Sequence, residues 1–95
     1  MALMMVPSGL KAETAEMLQT SKITGVVFDD FGEPIIGATV RVKNAQNGAV
    51  TDVNGRYSVN ATKNATLVFS FIGYRTQEVA VKGRTTVNVT LKEDS

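Results

Sequence analysis

Cysteine, histidine and tryptophan are all missing from this 95-residue chain. Without cysteine there is no disulfide, no thiolate metal site and no residue to carry an amino-terminal lipid anchor, so the chain suits any redox compartment. Without histidine no Ser-His or Cys-His nucleophilic pair can be assembled, and the commonest general base and metal ligand is gone. Carboxylates alone can do chemistry, but in a large cleft that one small domain hardly supplies. The expectation is a protein that is not an enzyme and holds no cofactor. With no tryptophan and only two tyrosines, a stacking platform for carbohydrate is disfavoured. Ten basic residues against nine acidic ones leave a net charge of +1 and no run of like charge. That removes the footprint expected of a nucleic-acid partner or an anionic membrane surface. No apolar run is long enough to cross a bilayer, so direct membrane insertion of this segment is not expected.

What is present is 43% hydrophobic residues, enough for one modest core. Residues 1–22 differ from the rest: "MALMMVP" is apolar, "SGLKA" small and mixed, "ETAEMLQTSK" polar. That order matches the end of a secretory signal, without its basic start, or else a flexible tail. A third reading makes Lys11–Gln19 a short helical turn through Ala12, Ala15, Met17 and Leu18.

From Ile23 the pattern is β throughout, in one domain over residues 23–92, with 93–95 a tail leading onward. "ITGVVFD" is rich in β-branched residues, and "DFGEPI" is a turn punctuated by Gly and Pro. "GATVRVK" sends Ala38, Val40 and Val42 to one side. "AVT" is a short strand, "RYSVN" points Tyr57 and Val59 inward, and "TLVFSFI" does so with Leu67, Phe69 and Phe71. Val68 and Ile72 give that last strand a second apolar face, which suggests cover on both sides. "QEVAVK" adds Val79 and Val81, and "TTVNVTLK" adds Val87, Val89 and Leu91. Seven short, evenly spaced strands without helical period predict an all-β, seven-stranded Greek-key sandwich.

The turn "TDVNG" could also be a calcium loop. Asp52 and Asn54 are weak ligand candidates, because calcium needs six to eight oxygens and Asp29, Asp30 or Glu33 would have to come from another loop. An Asx-turn, in which Asp52 accepts backbone N–H groups and Asn54 and Gly55 reverse the chain, is preferred. "GEPIIG" is a rigid corner; with no helix after it, a phosphate loop is excluded. "FIGYRTQ" is a reversal in which Gly73 makes the turn and Tyr74 packs its ring with its hydroxyl wet. Tyr74 and Arg75 there are candidate partner contacts, followed by Asp52 and Asn54. The three N-x-T triplets at Asn60, Asn64 and Asn88 are assigned structural roles.

The stretches "GVVFDDFGEPIIGATVRVKNAQNGAVTDVNGRYSVN" and "ATLVFSFIGYRTQEVAVKG" carry a longer signature. It comprises Gly25, Asp29, Gly32, Pro34 and Gly37, then Lys43, Gly48, the Thr51-to-Tyr57 turn, and Ser70-Gly73-Tyr74 through Gln77-Glu78. Over residues 23–92 the chain resembles the carboxypeptidase-D regulatory-like domain, in particular the copy at the amino terminus of SusC-like TonB-dependent outer-membrane transporters of Bacteroidetes. Asn44 stands where that family often has glycine, which asparagine tolerates in a left-handed conformation. The resemblance implies a transthyretin-like sandwich on the periplasmic side of the outer membrane, ahead of a TonB box, plug and barrel. It also implies a non-catalytic accessory role in glycan or peptide uptake. The expected partners are the plug and barrel of the same transporter, or proteins of the TonB system. The alternative is a stand-alone secreted ligand-binding or adhesive module, stabilised by calcium in the Asp52 turn.

Overall fold

The computed structural model describes residues 19–94; the readings placed on residues 1–18 lie outside them. Seven strands form: β1 (Ser21–Phe28), β2 (Thr39–Val42), β3 (Gly48–Val50), β4 (Arg56–Ala61), β5 (Thr66–Ser70), β6 (Gln77–Ala80) and β7 (Val89–Thr90). They make two sheets, ordered β4-β1-β7 and β3-β2-β5-β6, so the chain changes sheet after β1, β3, β4 and β6. The architecture is the all-β sandwich of the prealbumin type.

The period-2 pattern sets the two inner faces. Val40, Val42, Leu67 and Phe69 of one sheet meet Ile23, Val27, Tyr57 and Val59 of the other, all buried, with Val81, Val87 and Leu91 closing the edge. The Tyr57 and Phe69 rings meet edge to face, 5.4 Å apart, which suits their quadrupoles. Asn44 adopts φ +64, a left-handed conformation that asparagine tolerates.

Two expectations need correction. The last strand is not eight residues long: β7 keeps two, with an isolated bridge from Thr86 to Thr24. Its ladder with β1, which is parallel, is interrupted by a side chain. Tyr57 donates its hydroxyl to the Val87 carbonyl at 2.6 Å, the acceptor that the Val26 N–H would use in an unbroken parallel ladder. The Val26 N–H donates instead to Asn88 Oδ1 at 2.9 Å. This crossing requires Gly25, because a Cβ there would lie 1.8 Å from the Val87 oxygen.

The second correction concerns β5, which was expected to be covered on both sides. Val68 is half-buried on the outer face, between Arg41 and Glu78 in register. Ile72 lies beyond the strand end and is 89% exposed. Among the described residues no element covers that face.

Candidate functional site

The strand directions gather four segments at one end of the sandwich. β1 and the parallel β7 run towards this end, and the antiparallel β4 starts from it. Phe28 bridges Pro34, and the Ile35 N–H donates to the Val27 carbonyl at 2.9 Å. That contact brings the start of β2 to the same end, and pairing then brings the ends of β3 and β5 and the start of β6. This loop pole therefore holds residues 29–38, 51–55, 71–76 and 92–94.

Two loops of the pole share one construction. In the first, Asp29 Oδ1 accepts the N–H groups of Phe31 at 2.8 Å and Glu33 at 2.9 Å. In the second, Asp52 Oδ1 accepts those of Asn54 and Arg56, both at 2.9 Å. The glycine three residues after each aspartate, Gly32 or Gly55, has φ of +80 or +74. Each also donates its N–H to the aspartate's own carbonyl, at 3.1 and 2.9 Å. These are three-residue hairpin loops with a glycine bulge, locked by an Asx-type bond. The N–H groups of Arg56 and Asn54 hold the Asp52 carboxyl below the usual carboxylate range.

Thr51 completes the second loop in a way the sequence reading missed. Buried, it accepts the Ala38 N–H at 2.8 Å and donates its hydroxyl to the Ile35 carbonyl at 2.6 Å. A β-branched threonine beside a valine run looks like an ordinary strand residue, so no local signal marks this clamp.

Tyr74 and Arg75 are tied down in backbone. Gly73 takes φ +86, and Tyr74 bridges Glu93. The Arg75 N–H donates to the Lys92 carbonyl at 2.9 Å, and the Asp94 N–H to the Gly73 carbonyl at 3.0 Å. The half-buried Tyr74 ring leans on Phe71, with centroids 5.9 Å apart. Burial first, then the negative charges of Asp29, Glu93 and Asp30, raise the Tyr74 phenol above its ordinary pKa. Beside this pair a shallow depression of about 420 Å³ is lined by Gly37, Thr39, Ser70, Phe71 and Ile72. The structure thus puts Asp52, Asn54, Tyr74 and Arg75 at one pole, on two different loops.

For metal binding the Asp52 loop offers little, since Asp52 Oδ1 is already engaged by two N–H donors. Among the described residues, no three Asp, Glu, His or Cys side chains come together to hold an ion.

Residues 23–95 match the CarboxypepD_reg-like domain family. The chain belongs to that family. It is similar to the TonB-dependent receptor SusC of Bacteroides thetaiotaomicron, 38% identical over 93 residues, covering 98% of this chain and 9% of that protein. A TonB-dependent receptor of Formosa agariphila is 45% identical over 75 residues, covering 78% of this chain and 7% of the receptor. The CarboxypepD_reg-like chain therefore spans less than a tenth of these relatives, and it matches the amino-terminal region of SusC-like receptors. Among solved structures, a cohesin–X-dockerin complex from Acetivibrio cellulolyticus matches at TM-score 0.65 and 21% identity, over 77% of this chain and 58% of that one. The major pilin subunit BcpA of Bacillus cereus matches at TM-score 0.51 and 18% identity, over 79% of this chain and 29% of that one. These two likenesses concern the fold alone.

Proposed function

We propose that this domain is a non-catalytic accessory module of a SusC-like TonB-dependent outer-membrane transporter of glycans or peptides, on the periplasmic side, acting through protein contacts. The observation that carries the reading is the 38% identity to SusC over 98% of this chain. The family is a non-catalytic one, and the absence of histidine and cysteine removes the usual nucleophile pairs. Contact is the remaining role for a rigid sandwich whose polar side chains serve its own turns. Tyr74, Arg75, Asp52 and Asn54, all at the loop pole, are the residues proposed to meet the partner, whether the transporter's own plug and barrel or a TonB-system protein.

An immunoblot of the native cell envelope with antibody to this domain, with and without boiling, tests the reading. The expected result is a band far larger than the domain, in outer-membrane fractions, whose mobility changes on heating as closed barrels do. A small, soluble band indifferent to heating would contradict it and leave a module working alone.

A further inference from the structure

Five large apolar side chains are exposed among the described residues: Phe31, Ile36, Val50, Val53 and Ile72. Single exposed apolar residues need no explanation. These five come from separate stretches of sequence, yet every one lies on a segment that starts or ends at the loop pole. Phe31 is 85% exposed at the tip of the first aspartate loop and Val53 71% exposed in the second. Ile36 and Ile72 flank Gly37 and Phe71, the walls of the shallow depression. The end of a sandwich three or four strands wide measures roughly 15 by 10 Å, from strand and sheet spacings. All five therefore lie at one end of the sandwich, Val50 on the outer face of its sheet beside Thr39. The turns at the opposite end, residues 43–47, 62–65 and 81–85, expose no large apolar side chain.

Charge divides along the same axis. Asp29, Asp30, Glu33, Asp52, Glu93 and Asp94 are at the loop pole, six of the seven acids among the described residues. Three cations accompany them: Arg56, Arg75 and Lys92. The opposite end carries Lys22, Lys43, Lys63, Lys82 and Arg84. The remaining acid, Glu78, pairs with Lys43 at 3.0 Å.

We propose that the loop pole is a docking surface for a basic segment with one or two apolar anchors, contributed by a separate protein. This rests on the contact-module reading above and names its surface and the chemistry of its partner. Exposed apolar anchors beside charged groups are what a protein interface uses, and the acidic excess steers a cationic segment and repels an acidic one. A second copy meeting this pole with its own is disfavoured, because among the described residues each pole carries six acids against three cations. An anionic membrane surface does not fit either, because the pole carries excess negative charge.

The test is an amide-NMR titration of the isotope-labelled 95-residue chain with three synthetic peptides of equal length. One alternates lysine with leucine and phenylalanine, one replaces its lysines by glutamate, and one is oligolysine. The lysine–leucine–phenylalanine peptide alone should shift amides of the Phe31, Val53 and Ile72 loops. Added salt should weaken that binding by screening. The doubly substituted Phe31→Ser/Ile72→Ser chain should bind it roughly tenfold more weakly, a hot-spot-sized loss. Asp30→Asn/Glu93→Gln should weaken it by a smaller factor. Because these side chains are exposed, unchanged amide spectra elsewhere will show that the variants still fold. Equal binding of oligolysine, shifts confined to another face, or no shift at about millimolar peptide, far above a typical interface dissociation constant, would each overturn the proposal. Shifts on another face would still leave a contact module, so this failure differs from failure of the envelope test.

Discussion

The Asp29 and Asp52 loops have the same backbone and opposite surroundings. Both use a carboxylate to cap two N–H groups and a left-handed glycine to turn the chain. At Gly32 an added Cβ would meet nothing within 4 Å. At Gly55 it would lie 2.7 Å from Pro34 Cβ and 2.9 Å from the Val27 oxygen. The second loop is wedged into the corner between β1 and β4, where the Gly55 carbonyl accepts the Val27 N–H at 2.9 Å. The first stands free and holds Phe31 out to solvent. One turn chemistry therefore does two jobs, fastening the sandwich in one place and presenting a side chain in the other.

The largest expected effect separates the two glycines. Gly55→Ala combines left-handed strain with a backbone clash and should cost about 3 kcal/mol or more, whereas Gly32→Ala should cost only the strain, about 1 kcal/mol. Urea unfolding of both variants measures this, and equal losses would break the comparison. Next comes Tyr57→Phe, on the strand that the wedged loop feeds. Loss of the hydroxyl leaves the Val87 carbonyl short of a donor and should cost about 1–2 kcal/mol. Burial pushes the Tyr57 phenol up to about 12, slightly opposed by Arg84. The folded state then keeps a proton that the unfolded chain loses near pH 10, so stability should fall as pH rises from about 10 towards 12. Tyr57→Phe should flatten that alkaline limb in melts taken across the range.

Asp52 governs the other limb. Its lowered pKa, held by the Arg56 and Asn54 N–H groups, contributes stability at neutral pH. That contribution should fade as pH drops below about 4 and through the lowered value. Asp52→Asn keeps an acceptor oxygen but loses the charge, so its acid limb should be shallower; an unchanged limb would contradict the assignment. The smallest effect belongs to the free loop: Phe31→Ser should leave the melting temperature almost where it was, since little apolar area is uncovered.

Much of the sandwich was legible because a half-buried strand must alternate. Val40, Leu67, Phe69, Val87 and Leu91 went inward as their spacing required. The short β7 was not, because it depends on a Tyr57 hydroxyl reaching the Val87 carbonyl across the sheet, a contact without local trace. Ile72 misled for a related reason: β5 stops at Ser70, so alternation no longer governs it. The Asp52 turn was readable from its residues. Its twin at Asp29 shares the same Asp-x-x-Gly spacing, and that repeat was the signal available for finding it. Neither spacing tells which glycine will be wedged. The acidic pole was invisible as well, since its carboxylates lie at positions 29–33, 52 and 93–94 and meet only when the strands are laid side by side.

A photo-crosslinking phenylalanine analogue placed at Phe31, or at Lys63 on the opposite end, in the cells that make the protein, shows which end of the sandwich meets a partner. Phe31 should crosslink to a separate envelope protein and Lys63 should not. Equal crosslinking from both ends, or none from Phe31, would contradict a loop pole built for contact.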